Sequence, residues 1–183
     1  MLNEALALAV MLPTLPEALR ATTIIVDNGS TDDSAAVARS CGVRVVPEGE
    51  RGYGAACLAG IAALNDAPGS DVVVFMDGDA SDDVADLGAL LRPVLDDDAD
   101  LVIGSRVTGT RDPGALSAHA RFGNWLATTW IYHKTKVRFT DLGPLRAIRL
   151  ASLRELHMQD RAYGWTVEMQ LKAVQRQLRV REV

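Results

Sequence analysis

The sequence has 183 residues, 19 Lys+Arg against 24 Asp+Glu for a net charge of -5, and 48% hydrophobic residues. At roughly 150 residues per domain this is one domain's worth of chain, able to bury on the order of 70% of its unfolded surface without a metal or disulfide staple. A mean hydropathy of +0.07 with 23% charged residues excludes a disordered chain and a membrane bundle, and a pI near 5.2 argues against a dedicated nucleic-acid binder.

Along the chain, the apolar run from Ala5 to Leu12 falls far short of the ~18 residues of a membrane span and lacks the basic flank of a signal peptide. Short β-branched runs then alternate with helical patterns, the form of repeated βα units. Strands are expected over Thr22 to Val26, Val43 to Val46, Asp71 to Met76 and Leu101 to Ile103. Helices are expected over Ser34 to Cys41, Gly54 to Leu64 and Val84 to Leu95. After a loop with Gly109, Pro113 and Gly114 comes an amphipathic stretch, Arg121 to Tyr132, whose Trp125 and Trp130 read by default as packing between sheet and helix. A turn at Gly143-Pro144, further helical stretches and the alternation Leu178-Val180-Val183 complete the chain. Cys41 and Cys57 lack metal or disulfide spacing, which fits a reducing cytosol.

Acidic residues collect just after strand ends, where open α/β sheets bind ligands. VVVFM runs into Asp77-Gly78-Asp79, and in extended geometry two carboxylates two residues apart share a face and meet one cation. Hard oxygens suit Mg2+ or Mn2+, commonly completed by substrate phosphates; the plainer reading is an acidic turn with Ser81 or Asp82 as N-cap. VDNGSTDDS, Val26 to Ser34, repeats the pattern: Asn28-Gly29 permits a left-handed turn, Ser30 or Thr31 can cap the next helix, and Asp27 is left with no necessary capping duty. Arg51-Gly52-Tyr53-Gly54 opens a helix whose N-terminus can receive a diphosphate, although it is not a Rossmann fingerprint. His119, His133 and His157 share no ligand spacing, and Asp96-Asp97-Asp98 reads as a solvated helix end.

VDNGSTDDS, RGYGAACLAG, VVFMDGDASDD, LVIGSR, RFGN and FTDLGPLRAIR occur in the order and approximate spacing of the family 2 glycosyltransferases of GT-A fold. The chain resembles in particular the dolichol/polyprenyl-phosphate mannosyltransferase subgroup. The resemblance implies an α/β nucleotide-diphospho-sugar transferase fold, with a mainly parallel central sheet flanked by helices. It further implies a glycosyltransferase that moves a hexose from a UDP- or GDP-sugar to a lipid (polyprenyl) phosphate with Mg2+ or Mn2+. By the same likeness Glu4, Asp27, Gly29, Arg51, Gly54 and Asp77 line the sugar nucleotide, and Asp77, Asp79 and Ser81 attend the metal. Asp79, Asp141, Arg106 and Arg121 form the catalytic set: the two arginines bind acceptor phosphate, and Asp141, with Arg146 near it, takes the position of a catalytic base.

Relatives begin with a strand before the Asn3-Glu4 element and continue beyond Val183, so residues 1-183 read as a single glycosyltransferase domain without the usual first strand and shortened at both ends. A hydroxyl acceptor, or a catalytically silent nucleotide-sugar-binding or assembly subunit, is the alternative. A haloacid-dehalogenase reading of the DxD fails because βα units precede Asp77 and no late acidic pair follows a strand. A cytoplasmic chain is expected, touching a membrane only peripherally at its inner face or through a membrane partner protein, since a net charge of -5 opposes broad adhesion to anionic bilayers.

Overall fold

The computed structural model describes residues 1–64, 71–107 and 118–183, and over 118–121 the backbone alone. The expected loop around Gly109, Pro113 and Gly114 lies outside the described residues. In chain order the elements are α1 (Ala5–Thr14), α2 (Glu17–Thr22), β1 (Ile24–Asp27), α3 (Ser34–Ser40), β2 (Arg44–Pro47), α4 (Tyr53–Ala63) and β3 (Val72–Phe75). There follow α5 (Leu87–Leu95), β4 (Leu101–Ile103), α6 (Ala118–Thr135), β5 (Arg146–Arg149), α7 (Leu150–Leu156), α8 (Trp165–Gln175) and β6 (Val180–Glu182). Several expectations change. Thr22, expected to open the first strand, ends α2 instead, and β1 begins at Ile24. The helix expected from Val84 divides, because Asp83 accepts from the Ala85 amide at 2.9 Å and caps a single 3-10 turn, Val84–Asp86, ahead of α5. And β5, read as part of a helical stretch, is a strand; its sequence RAIR hid it, because strand patterns are recognised by alternating apolar residues and here a fully buried arginine occupies an inward position.

The Cα positions group into two compact units, each drawing on several segments of chain. The first comprises residues 1–64 with 76–87 and 159–165. Its sheet is the parallel pair β1–β2, with Ile24 to Asp27 opposite Arg44 to Pro47. Met1 donates its amino group to Val26 O at 2.7 Å and accepts from Asn28 N at 3.0 Å, the bonding of a single residue in a parallel neighbour of β1. Leu8, Met11, Leu12, Ile25, Ala38, Val43 and Ala55 form its core.

The second unit comprises residues 71–75, 88–107, 118–158 and 166–183. Its sheet runs β3-β5-β4-β6. Here the pairing is mixed rather than mainly parallel: β5 runs antiparallel to both β3 and β4, and β4 pairs parallel with β6. All three residues of β4 are buried, together with Ala147 and Ile148 of β5, and each such Leu, Val or Ile contributes about 1.5–3 kcal/mol by leaving water. The acidic stretch after α5 is not simply solvated. Asp97, at φ 61°, accepts from Arg149 and Arg179, each at 2.7 Å, which fastens the turn between α5 and β4 to β5 and to the residue before β6.

Candidate active site

The residues expected to hold a sugar nucleotide gather in the first unit. Asp27 ends β1, and one of its oxygens accepts from the Ser30 amide at 2.9 Å, so it does carry a turn-closing duty. Ser30 and Thr31 do not cap α3. The Ser30 hydroxyl accepts from Asn3 N at 3.0 Å, and the Thr31 amide donates to the Asn3 side chain at 2.8 Å. Glu4 N donates to the Ser34 hydroxyl at 2.8 Å, so the Asn3-Glu4 element is clasped by the turn after β1. The Glu4 carboxylate itself has no hydrogen-bond or ion-pair partner among the described residues. Burial pushes the Met1 ammonium pKa down, while the charges of Asp27, Asp77, Cys57 and Glu4 pull it up.

Asn28, read from sequence only as a turn former, is buried and organises the next loop. Its Nδ2 donates to Glu48 O at 3.2 Å and Glu50 O at 2.6 Å, and its Oδ1 accepts from Gly52 N at 2.9 Å. Gly29 takes φ 87° beside the exposed Arg51, whose Nε would lie 4.0 Å from a Cβ at Gly29. Gly54 serves differently from expectation. Its amide donates to Ala162 O at 3.0 Å and that of Ala55 to Arg161 O at 2.9 Å, so this end of α4 is occupied by protein carbonyls where a diphosphate was expected. A Cβ on Gly54 would stand 2.0 Å from Asp160 O. The loop is held further by Arg161, paired with Glu50 at 2.8 Å, a long-range contact with no local sequence signal.

The acidic pair sits on a turn. β3 ends at Phe75, the chain bends at Gly78 and Asp79, and Ala80 takes φ 60°, so the extended geometry expected for Asp77 and Asp79 is replaced by a loop. Asp79 is exposed and uses Oδ1 to accept from the Ser81 amide at 2.9 Å, while Asp77 is half-buried and its amide faces Asp82 Oδ2 at 3.4 Å. Neither Ser81 nor Asp82 caps a helix; Asp83 does. Among the described residues no group of three or more His, Cys, Asp or Glu side chains could enclose a metal. Two hard carboxylates do suit a Mg2+- or Mn2+-sized ion that takes its remaining ligands from water and phosphate.

In the second unit, Asp141 is fully buried and its carboxylate is saturated. Oδ2 accepts from Arg106 N at 2.9 Å and Arg106 Nε at 2.8 Å, while Oδ1 accepts from Arg106 Nη2 at 2.9 Å and Leu142 N at 2.8 Å. Burial alone would raise its pKa; the hydrogen bonds and charge of Arg106 outweigh this and hold it below the ordinary carboxylate range. The Arg106 side chain keeps 41% of its surface in solvent. Glu182 accepts from the Thr140 amide at 2.9 Å and the Asp141 amide at 3.2 Å, and Gln170 donates to Asp141 O at 2.9 Å, so the segment is fixed from β6 and α8. Arg146 is buried and donates to the carbonyls of Leu142, Gly143 and Thr166. Arg121 lies in α6 with its side chain outside the described residues, as does that of His119. His133 is exposed and His157 ends α7 in the left-handed region, φ 46°. Trp125 and Trp130, expected to pack inside, are 58% and 48% exposed. No described helix is long and apolar enough to cross a membrane.

Comparison with known proteins gives a coherent answer. The family model described as Glycosyl transferase family 2 matches residues 2–155. The chain is 35% identical over 184 residues to an uncharacterized glycosyltransferase of Mycobacterium tuberculosis, Rv0539, covering 100% of this chain and 79% of that protein. It is 28% identical over 175 residues to the glycosyltransferase AglJ of Haloferax volcanii, covering 95% and 56%. Among solved structures, glucosyl-3-phosphoglycerate synthase from M. tuberculosis, in complex with Mn2+, UDP-glucose and phosphoglyceric acid, matches with a TM-score of 0.73 at 20% identity, over 100% of this chain and 66% of that one.

Proposed function

The chain belongs to glycosyl transferase family 2, and on that premise we propose that it moves a hexosyl group from a UDP- or GDP-sugar to a lipid (polyprenyl) phosphate. The observation that carries this reading is the Arg106–Asp141 pair. A general base needs a lone pair within reach of the acceptor proton and a pKa near the working pH. Asp141 has all of its roughly four acceptor directions filled and a lowered pKa, so its work is to hold Arg106. A guanidinium held in place by a buried carboxylate, with 41% of its side-chain surface in solvent, is suited to phosphate recognition. The structural neighbour crystallised with phosphoglyceric acid carries a phosphate-bearing ligand, in keeping with this choice.

A phosphate monoester has a second pKa of about 6, so it is largely dianionic at neutral pH and attacks without surrendering a proton. Its oxygen forms the bond to the anomeric carbon as the bond from that carbon to the nucleoside diphosphate breaks. Arg106, joined in this reading by Arg121, orients the acceptor; Asp27 and Glu4, with Gly29 and Arg51 beside them, receive the nucleoside and its phosphates. Asp77 and Asp79, with Ser81 alongside, would hold Mg2+ or Mn2+. When bound, such an ion neutralises charge on the departing diphosphate.

The test is a transfer assay with labelled UDP- and GDP-hexoses and Mn2+, offered polyprenyl phosphate or polyprenol. Label on the phosphate alone is the expected result. Label on the polyprenol would replace this reading with the hydroxyl-acceptor one, and nucleotide binding without transfer to either would favour a silent subunit.

A further inference from the structure

We infer that the exposed face of α6 is a docking surface for an anionic lipid bilayer. Phe122, Trp125, Leu126 and Trp130 lie at i, i+3, i+4 and i+8 and form one stripe, with 63%, 58%, 55% and 48% of their surface in solvent. The opposite side of the helix, Thr128 and Ile131, is buried. Single exposed apolar residues are ordinary, but a continuous stripe with two tryptophans and a phenylalanine is the mark of a surface that meets something.

Charge identifies the occupant. From residue 118 to residue 140 there is no Asp or Glu, while Arg121, Lys134, Lys136 and Arg138 are basic. Four positive charges thus sit in one segment of a chain whose net charge is -5, leaving -9 for the rest. Lys134 Nζ lies 6.0 Å from the Trp130 ring centre, and the Arg138 guanidinium 4.6 Å from that of Tyr132. No carboxylate pairs with Lys134, Lys136 or Arg138 among the described residues. Exposed aromatics beside unneutralised cations match the boundary between acyl chains and anionic headgroups. A second copy of the chain fits worse, because a two-fold contact through this face sets its basic cluster against itself. The net charge of -5 therefore opposes adhesion over most of the surface and not here. The face is also tied to the acceptor segment: Asn124 of α6 donates to Thr140 O and accepts from Leu142 N, both at 2.9 Å, on either side of Asp141.

This inference concerns a binding surface and does not require the acceptor to be a lipid phosphate, so its test contains neither donor nor acceptor. The intact protein is mixed with vesicles of phosphatidylcholine alone or with phosphatidylserine, and sedimentation and tryptophan emission are read together. Trp165 is fully buried and serves as an internal reference. Uptake by the phosphatidylserine vesicles, a blue shift in emission, and release by salt are expected. At about fivefold per basic residue near the surface, replacing Lys134, Lys136 and Arg138 by Gln together lowers binding by about two orders of magnitude. W125A/W130A removes the blue shift while circular dichroism stays unchanged. Absence of uptake by the wild type, or uptake that both variants share undiminished, overturns the proposal. So does concentration-dependent self-association that shields the tryptophans without any vesicle binding, which would assign the face to a second copy.

Discussion

Asp141 accepts four hydrogen bonds from within the protein, three of them from Arg106. This division of labour predicts a kinetic contrast. Under the proposed role, Arg106→Ala removes charge-assisted hydrogen bonds to acceptor phosphate worth about 1.5–3 kcal/mol, which raises the acceptor KM by roughly one to two powers of ten. Asp141→Asn releases Arg106 and also raises KM, with kcat within about tenfold; a 10²- to 10⁴-fold fall in kcat at unchanged KM, the usual size of a lost general base, would return Asp141 to that role. The same pair sets a pH dependence. Because the folded pKa of Asp141 is lowered, its contribution to stability is fully present above the unfolded value of about 3.9 and is lost as pH falls through the folded value. The urea midpoint should hold from neutral pH to about 5 on this account and fall below about 4, with a smaller acid-induced fall in Asp141→Asn. An acid-induced fall of equal size in the two proteins would show that the pair does not contribute. The type and position of these residues were legible in the motifs LVIGSR and FTDLGPLR. Their mutual pairing was not, because 35 residues separate them.

The loop from Glu48 to Gly54 and the start of α4 form one assembly with residues 160–162. Asn28 fixes the loop from one side, and the carbonyls of Ala162 and Arg161 accept from the amides of Gly54 and Ala55 in the first turn of α4. A methyl group on Gly54 would collide with Asp160 O at 2.0 Å, backbone against backbone, with no flexible side chain to give way. Gly54→Ala is therefore expected to destabilise the protein by about 1–3 kcal/mol, the usual cost of overpacking, although alanine is the better helix former by roughly 1 kcal/mol. A denaturant titration reads the sign, and a neutral or stabilising result would mean that the 160–162 segment moves aside freely. Sequence periodicity located α3 to α6 and the strands β1 to β4, since those depend on local patterns; it assigned no helix at α1 or α2 and gave α7 and α8 no bounds. It missed β5, whose inward Arg146 breaks the apolar signature, and the seat of the glycine loop, which depends on a segment more than 100 residues away.

At the scale of the molecule, residues distant in sequence act together within each unit: Asp27, Asp77 and Glu4 all act on the Met1 ammonium in the first, and Arg106 pairs with Asp141 in the second. The alternation of β-branched runs with helical patterns made the α/β class legible, and the resemblance of six motifs in family order implied the GT-A fold. The exposure of Trp125 and Trp130 was illegible, since amphipathic spacing states that a helix has an apolar face and not what covers it. The proposed donor chemistry rests on the acidic turn. The most direct measurement is calorimetric titration of UDP- and GDP-sugars into the wild type, Asp77→Asn and Asp79→Asn, each with Mn2+ and with chelator. Binding to the wild type is expected to need the ion, and both variants are expected to lose that ion-dependent component while their thermal unfolding remains cooperative. Mn2+-dependent affinity unchanged in both variants would contradict it.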